Sequence, residues 1–196
     1  MTPLRPTTLI LFAATASVLL VAGCSQKNPG QANPQSNTGT ATGTSAPPTA
    51  AGLDLTKFKD DPCGLLKTDQ LAGLGTFKAP EPGSSSVGPK CRWPALDVTK
   101  GAAYTVTVNT NGNTFDQVSE NVKGSKVYRQ AKVADYPAVS SDPTNGLGNC
   151  LTAVGTSSKD VFFVQISTLN ESTPEYRDSC GTTERVAALV VQNLKG

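Results

Sequence analysis

Histidine is absent from the 196-residue chain. Its absence removes imidazole as general base, as proton shuttle and as metal ligand. Charge is sparse: 16% of residues are charged, and 17 Lys+Arg against 15 Asp+Glu leave a formal net charge of +2. No basic block and no arginine-rich face occurs, so the electrostatic footprint of a nucleic-acid binder is missing. The longest apolar run, Leu9 to Ala22, spans 14 residues. That is short of the roughly 20 a helix needs to cross a bilayer. No two cysteines have metal-knuckle spacing, and no Ser-x-x-Lys accompanies Ser84-Ser85-Ser86. The composition therefore implies no metal, no cofactor and no catalytic constellation.

What is present begins at the N-terminus. Met1 to Pro6 carry one cation, Arg5, and no acid. The apolar run follows, and it closes on Val21, Ala22, Gly23 and Cys24. This is the n-region, h-region and small-residue site of a secretory signal. Its end resembles the bacterial lipobox, with an aliphatic residue at Val21 and small residues at Ala22 and Gly23 ahead of the cysteine. The resemblance implies a signal peptide over residues 1–23, a diacylglyceryl group on the Cys24 thiol and cleavage just before it. Two or more acyl chains give stable anchoring, whereas one is marginal at about 0.8 kcal/mol per buried CH₂.

Residues 24–52 then form a tether. Beyond Cys24 the stretch is rich in Ser, Thr, Gly, Asn, Gln, Pro and Ala, and Lys27 is its only charge. It buries too little apolar surface to offset the entropy of ordering, so it is expected to be disordered. As a flexible coil its mean span is about 30 Å.

Residues 53–196 carry the signals of one folded domain. Asp61-Pro62 reads as a helix N-cap with proline at the first helical position. Thr68 caps a second short turn bearing Leu71 and Leu74. Ala79 to Pro89 reads as a Pro/Gly/Ser loop. Lys90 to Trp93 is a short strand closed by Pro94. Tyr104, Val106 and Val108 alternate with Thr105, Thr107 and Asn109 along the cleanest strand in the chain. After the Asn111-Gly112 turn, Phe115, Val118 and Val122 recur at helical spacing, capped by Asn113 or Thr114. Alternation resumes from Lys126 to Val133, and Tyr136 starts another extended segment. Asp142 to Gly148 is a turn-rich loop. Cys150 to Val154 and Val161 to Thr168 are neighbouring strands, and Leu169 to Arg177 is a polar loop. A helix from about Asp178 to Lys195 presents Val186, Leu189, Val190 and Leu194. The order predicts an α+β fold: an antiparallel sheet packed mainly on one face against helices, with a long C-terminal helix.

With Cys24 set aside, Cys63, Cys91, Cys150 and Cys180 remain. An oxidising exterior favours disulfides, and four cysteines allow three pairings. Cys63–Cys91 and Cys150–Cys180 are favoured, since each ties a helix N-terminus to a strand.

Asp61-Pro62-Cys63-Gly64-Leu65-Leu66, Cys91-Arg92-Trp93, Tyr136-Pro137-Ala138-Val139 and a final cysteine leading into an Ala/Val-rich helix resemble the actinobacterial lipoprotein family catalogued as domain of unknown function 3558. The resemblance covers about residues 53 to 196 and the lipobox. It implies a cell-surface lipoprotein with two internal disulfides and carries over no catalytic residue. The element order is also similar to the PsbP/Mog1-like sandwich, as a fold analogy.

Isolated features read as structural. Trp93 beside Arg92 is core more readily than a stacking platform. Gly146-Leu147-Gly148 lacks the helix and lysine of a phosphate cradle. Asp97, Asp135, Asp142 and Asp160 fall in turns, where Asp is ordinary. The expected function is a non-enzymatic binding domain on the extracytoplasmic face of the cell membrane. Its expected partners are the membrane, through the lipid on Cys24, and an envelope protein or a wall or lipid component. A carrier of a small apolar ligand is the alternative, and a carboxylate-based hydrolase a lesser one.

Overall fold

The computed structural model describes residues 52–196. The signal, the lipobox residues Val21 to Cys24 and nearly all of the tether lie outside them.

The described chain opens with two turns of 3₁₀ helix, Thr56–Phe58 and Pro62–Leu65, and a short helix α1, Thr68–Ala72. The strands are β1 (Glu81–Ser84), β2 (Pro89–Trp93), β3 (Ala103–Val108), β4 (Val127–Val133), β5 (Tyr136–Asp142), β6 (Asn149–Gly155) and β7 (Val161–Ser167). Helix α2 (Phe115–Val122) lies between β3 and β4, and α3 (Pro174–Arg177) and α4 (Ser179–Lys195) end the chain. All seven strands join one antiparallel sheet in the order β1-β2-β3-β7-β6-β5-β4. The α+β reading holds, with the long C-terminal helix in place.

Alternation divides the sheet into two faces, because successive side chains of a strand point to opposite sides. On one face Tyr104, Val106 and Val108 of β3 join Phe162, Val164 and Ile166 of β7. They pack beneath Val186, Ala187, Val190 and Val191 of α4 and the Leu65–Leu66 corner. On the other face Val118 of α2 meets Val139, Ala153 and Val161, with Phe115 and Phe163 at the margin. Helix α2 is only eight residues long, so it covers one part of its face.

Local chemistry explains the element ends. Thr114 caps α2 by accepting from the Gln117 N–H at 3.4 Å, and the Gln117 side chain accepts from the Thr114 N–H at 2.9 Å, a reciprocal capping box. Asp61 accepts from the Gly64 N–H and Asp178 from the Gly181 N–H, at 3.3 and 3.0 Å. At the far end of α4, buried Asn193 donates to the Leu65 carbonyl at 3.0 Å and to the Gln70 side chain at 2.7 Å, fastening the helix to the N-terminal turns.

Four sequence expectations change. Ala79–Pro89 is not all loop, since Glu81–Ser84 forms the edge strand β1. Pro82 and Gly83 argue against a strand, but an outermost strand tolerates a residue without an N–H. The Leu169–Arg177 loop contains α3, started by Thr173 accepting from the Tyr176 N–H. Thr68 is the first residue of α1 rather than its cap; Lys67 precedes it, and its N–H is taken by the Gln70 side chain. The buried stripe of α4 is rotated: Ala187 and Val191 are fully buried with Val186 and Val190, whereas Leu189 and Leu194 are half-buried.

The two-residue turn between β4 and β5 places Ala134 and Asp135 at φ 46° and 74°. Left-handed backbone costs an ordinary residue about 1–2 kcal/mol, and Asn-Gly suits such a turn best. The double variant Ala134→Asn, Asp135→Gly is therefore expected to gain about 1 kcal/mol, read as a higher urea midpoint; an unmoved midpoint contradicts it.

Candidate ligand-binding face

The region of the sheet that α2 leaves uncovered is the candidate site. Cross-strand register assembles it in rows. Arg92 of β2 stands opposite Thr105 of β3, Thr105 opposite Gln165 of β7, and Gln165 opposite Leu151 of β6. The next row runs Lys90, Thr107, Phe163. These side chains line an open cleft of about 510 Å³ together with Ser85, Ser86 and Val87.

The wall of that cleft depends on one glycine. The turn between β1 and β2 folds back on the end of β3, where the Thr110 N–H donates to the Val87 carbonyl at 2.8 Å. A Cβ on Gly88 would stand 2.1 Å from the Val108 carbonyl oxygen, and its φ is +149°. Only glycine permits this approach.

The charge on the face is of one sign apart from a single pair. Arg92 Nη1 lies 3.2 Å from Glu81 Oε2, with both side chains about half exposed. Lys90 has no carboxylate partner among the described residues. Among the described residues no carboxylate lines the cleft. The face therefore offers cations, hydroxyls and an amide around a half-buried ring and a leucine.

The residues singled out from sequence fall elsewhere. Cys63–Cys91 and Cys150–Cys180 are both bonded, as favoured, and tie the 62–65 turn to β2 and the start of α4 to β6. Trp93 is 1% exposed and sits on the α4 side of the sheet, opposite Arg92. Asp135 occupies the hairpin turn, and Asp160 accepts from the Ser157 hydroxyl at 2.6 Å within the β6–β7 loop. Between the sheet and α4, Trp93, Tyr104 and Phe162 are all but fully buried. Burial there pushes the Tyr104 phenol up to about 12.

Two carboxylates do share a second open cleft, of about 530 Å³: Asp97 and Glu175. Asp97 is engaged by its own turn. It accepts from the Thr99 hydroxyl at 2.6 Å and the Thr99 N–H at 2.9 Å and lies 3.4 Å from Lys100 Nζ. The Thr99 hydrogen bonds in particular hold its carboxyl below the usual value. A group so held is a poor proton donor near neutral pH.

Asp142 is likewise structural. Burial pushes its carboxyl up. The hydrogen bonds from the Thr144 hydroxyl and from the N–H groups of Gly146, Thr144 and Asn145 outweigh that and hold it below 3.8. A depressed folded value stabilises the fold above the unfolded pKa and loses that effect as pH falls through the folded pKa. Asp142→Asn is expected to lower Tm at pH 7, with the gap from the parent closing as pH drops below 3.8. A gap that stays constant down to the acid limit contradicts this.

The sequence missed the cleft residues Lys90, Thr105 and Gln165. The polar side of β3 was visible as Thr105 and Thr107, but nothing local tells whether a helix covers it.

These features define a disulfide-stapled α+β domain with one sheet face half open. The chain belongs to the family described as protein of unknown function (DUF3558), whose profile matches residues 19–193. No curated protein and no solved structure matches it. Among the described residues, no helix is long and apolar enough to cross a membrane, and no group of His, Cys, Asp or Glu is placed to hold a metal ion.

Proposed function

We propose that the chain is a cell-envelope lipoprotein, anchored through lipid on Cys24, whose residues 53–196 act as a non-enzymatic binding domain. The observation that carries the binding role is the uncovered sheet face, a cleft of about 510 Å³ with cationic and hydroxyl-bearing walls. Concave surfaces with a few convergent polar groups are where ligands bind. The lack of histidine and the structural engagement of Asp97 and Asp142 support a role without catalysis. The lipobox order Val21, Ala22, Gly23, Cys24 supports the anchor.

Two measurements test this reading. Cells fed a clickable palmitate analogue are expected to label the parent chain and not Cys24→Ser, and the variant is expected to leave the membrane fraction. In-cell photocrosslinking from position 165 is expected to trap an envelope component that crosslinking from the exposed α2 position 116 does not. An unlabelled parent chain refutes the anchor. Equal trapping from both positions refutes the open face, and substrate turnover by the purified protein refutes the non-enzymatic role.

A further inference from the structure

We infer that the open sheet face takes an anionic oligosaccharide, lying across β2, β3 and β7 with its acid groups toward Lys90 and Arg92. This rests on the proposal that the open face is the binding surface and adds the class of ligand.

Three observations lead to it. The first is charge. Among the described residues Lys90 is without a carboxylate partner, and Arg92 shares only one of its guanidinium nitrogens with Glu81. Among the described residues no acid lines the cleft itself, and Glu81, ion-paired with Arg92, is the acid that stands against its cations. A partly exposed guanidinium and ammonium reward a carboxylate more than a neutral group, and the reward falls with salt.

The second is the pattern of the floor. Hydroxyl and amide groups from Thr105, Thr107 and Gln165 stand beside the Phe163 ring and Leu151 in neighbouring register rows. A pyranose ring has the matching form, with hydroxyls around its edge and a C–H face that packs on an aromatic ring. A purely apolar ligand would leave Thr105 and Gln165 unpaired, at a cost for each polar group desolvated.

The third is shape. The cleft is open to solvent, and Ser85, Ser86 and Val87 of the β1–β2 turn line part of it. That turn is pinned by the Thr110–Val87 hydrogen bond, at a site only Gly88 permits. A pinned wall loses little freedom on binding. An open cleft admits a chain that extends beyond it, whereas an enclosed cavity suits a small apolar molecule.

The test uses the full chain, ¹⁵N-labelled and purified in non-ionic detergent, titrated with three probes: tetragalacturonate, neutral maltotetraose and sodium acetate. The expected result is a shift of the amide signals of β2, β3 and β7 with tetragalacturonate, at a dissociation constant in the range of about 10 μM to 1 mM. Maltotetraose should bind at least about tenfold more weakly, because it forfeits the charge-assisted contacts. Acetate at the same carboxylate concentration should not displace the tetrasaccharide. The double variant Lys90→Gln, Arg92→Gln should lose about tenfold or more in affinity and most of the salt dependence while keeping its Tm. Gln165→Ala should weaken both saccharides alike.

No shift of these amides by tetragalacturonate at 5 mM (about the weakest affinity of interest) overturns the inference. Equal binding of the neutral chain overturns the anionic part. Full displacement by acetate reduces the face to a simple anion site and overturns the saccharide. In those last two cases the open face still binds, so the ligand class falls while the functional reading stands.

Discussion

The double variant Cys150→Ala, Cys180→Ala is expected to lose about 3.6 kcal/mol of stability, and roughly 10–15 °C in Tm. The bond closes a segment with a sequence separation of 30. Chain entropy alone gives that figure for a loop of about this length. Two further features set this bond apart. Cys180 is the second residue of α4, so the bond pins the N-terminal end of the helix that roofs the main core. Beside it runs a buried polar strip. Thr183 and Thr152 hydroxyls lie 2.6 Å apart, Thr152 and Ser140 2.8 Å, and Ser140 donates to Glu184 Oε1 at 2.7 Å. Arg129 Nη2 reaches the same oxygen at 2.8 Å. Such a strip tolerates little displacement, because a half-made buried network costs more than an apolar one. Urea denaturation under non-reducing conditions measures the loss. The paired control Cys63→Ala, Cys91→Ala should fall by a similar entropic amount, since its separation is 28. A midpoint within error of the parent for the 150–180 variant would falsify the assignment of α4's docking to this bond.

Trp93→Ala is expected to cost about 3–5 kcal/mol. The side chain is 1% exposed and belongs to the cluster shared by β2, β3, β7 and α4. Truncation leaves a cavity that the neighbouring disulfide Cys63–Cys91 keeps from collapsing, which places the effect toward the top of that range. Arg92, one residue earlier, points to the opposite side of the sheet and is salt-bridged there. Stability and binding therefore separate at adjacent positions. Trp93→Ala should unfold at lower denaturant yet leave the titration of the open face unchanged at temperatures where it is folded. Lys90→Gln with Arg92→Gln should do the reverse. Loss of ligand binding in folded Trp93→Ala would return Trp93 to the site.

The core side of the sheet was legible because it is written with period two in Tyr104, Val106 and Val108 and again in Phe162, Val164 and Ile166. The disulfide partners followed from the elements that flank each cysteine. β1 was illegible because Glu81-Pro82-Gly83-Ser84 has the composition of a turn, and only the hydrogen bonds of β2 make it a strand. The rotation of α4 was illegible for a related reason. Leucine outranks alanine in any hydrophobic reading, but the close fit of α4 on β6 and β7 takes the smaller Ala187 and Val191 inward. The open face was hidden because coverage is a property of the length and placement of α2. Residues such as Thr105 and Gln165 carry the same local signal whether a helix lies over them or not.

The strand order has a consequence for how the domain comes into being. β1, β2 and β3 form one run of neighbours in sequence, and β4, β5, β6 and β7 form another. The two runs are joined only where β3 meets β7, a pairing separated in sequence by the whole of α2, β4, β5 and β6. Pairings of such long range are slow, because the chain between them must be gathered before any contact repays it. Until β7 is in place, the first run has an unpaired edge at β3, rich in Val and Thr, which is a template for association with other chains. Completion of the sheet therefore waits for residues 161–167, and α4 then closes over the seam. A chain interrupted before β7 would hold two half-sheets, each with an open side, and its characteristic failure would be aggregation rather than a smaller fold.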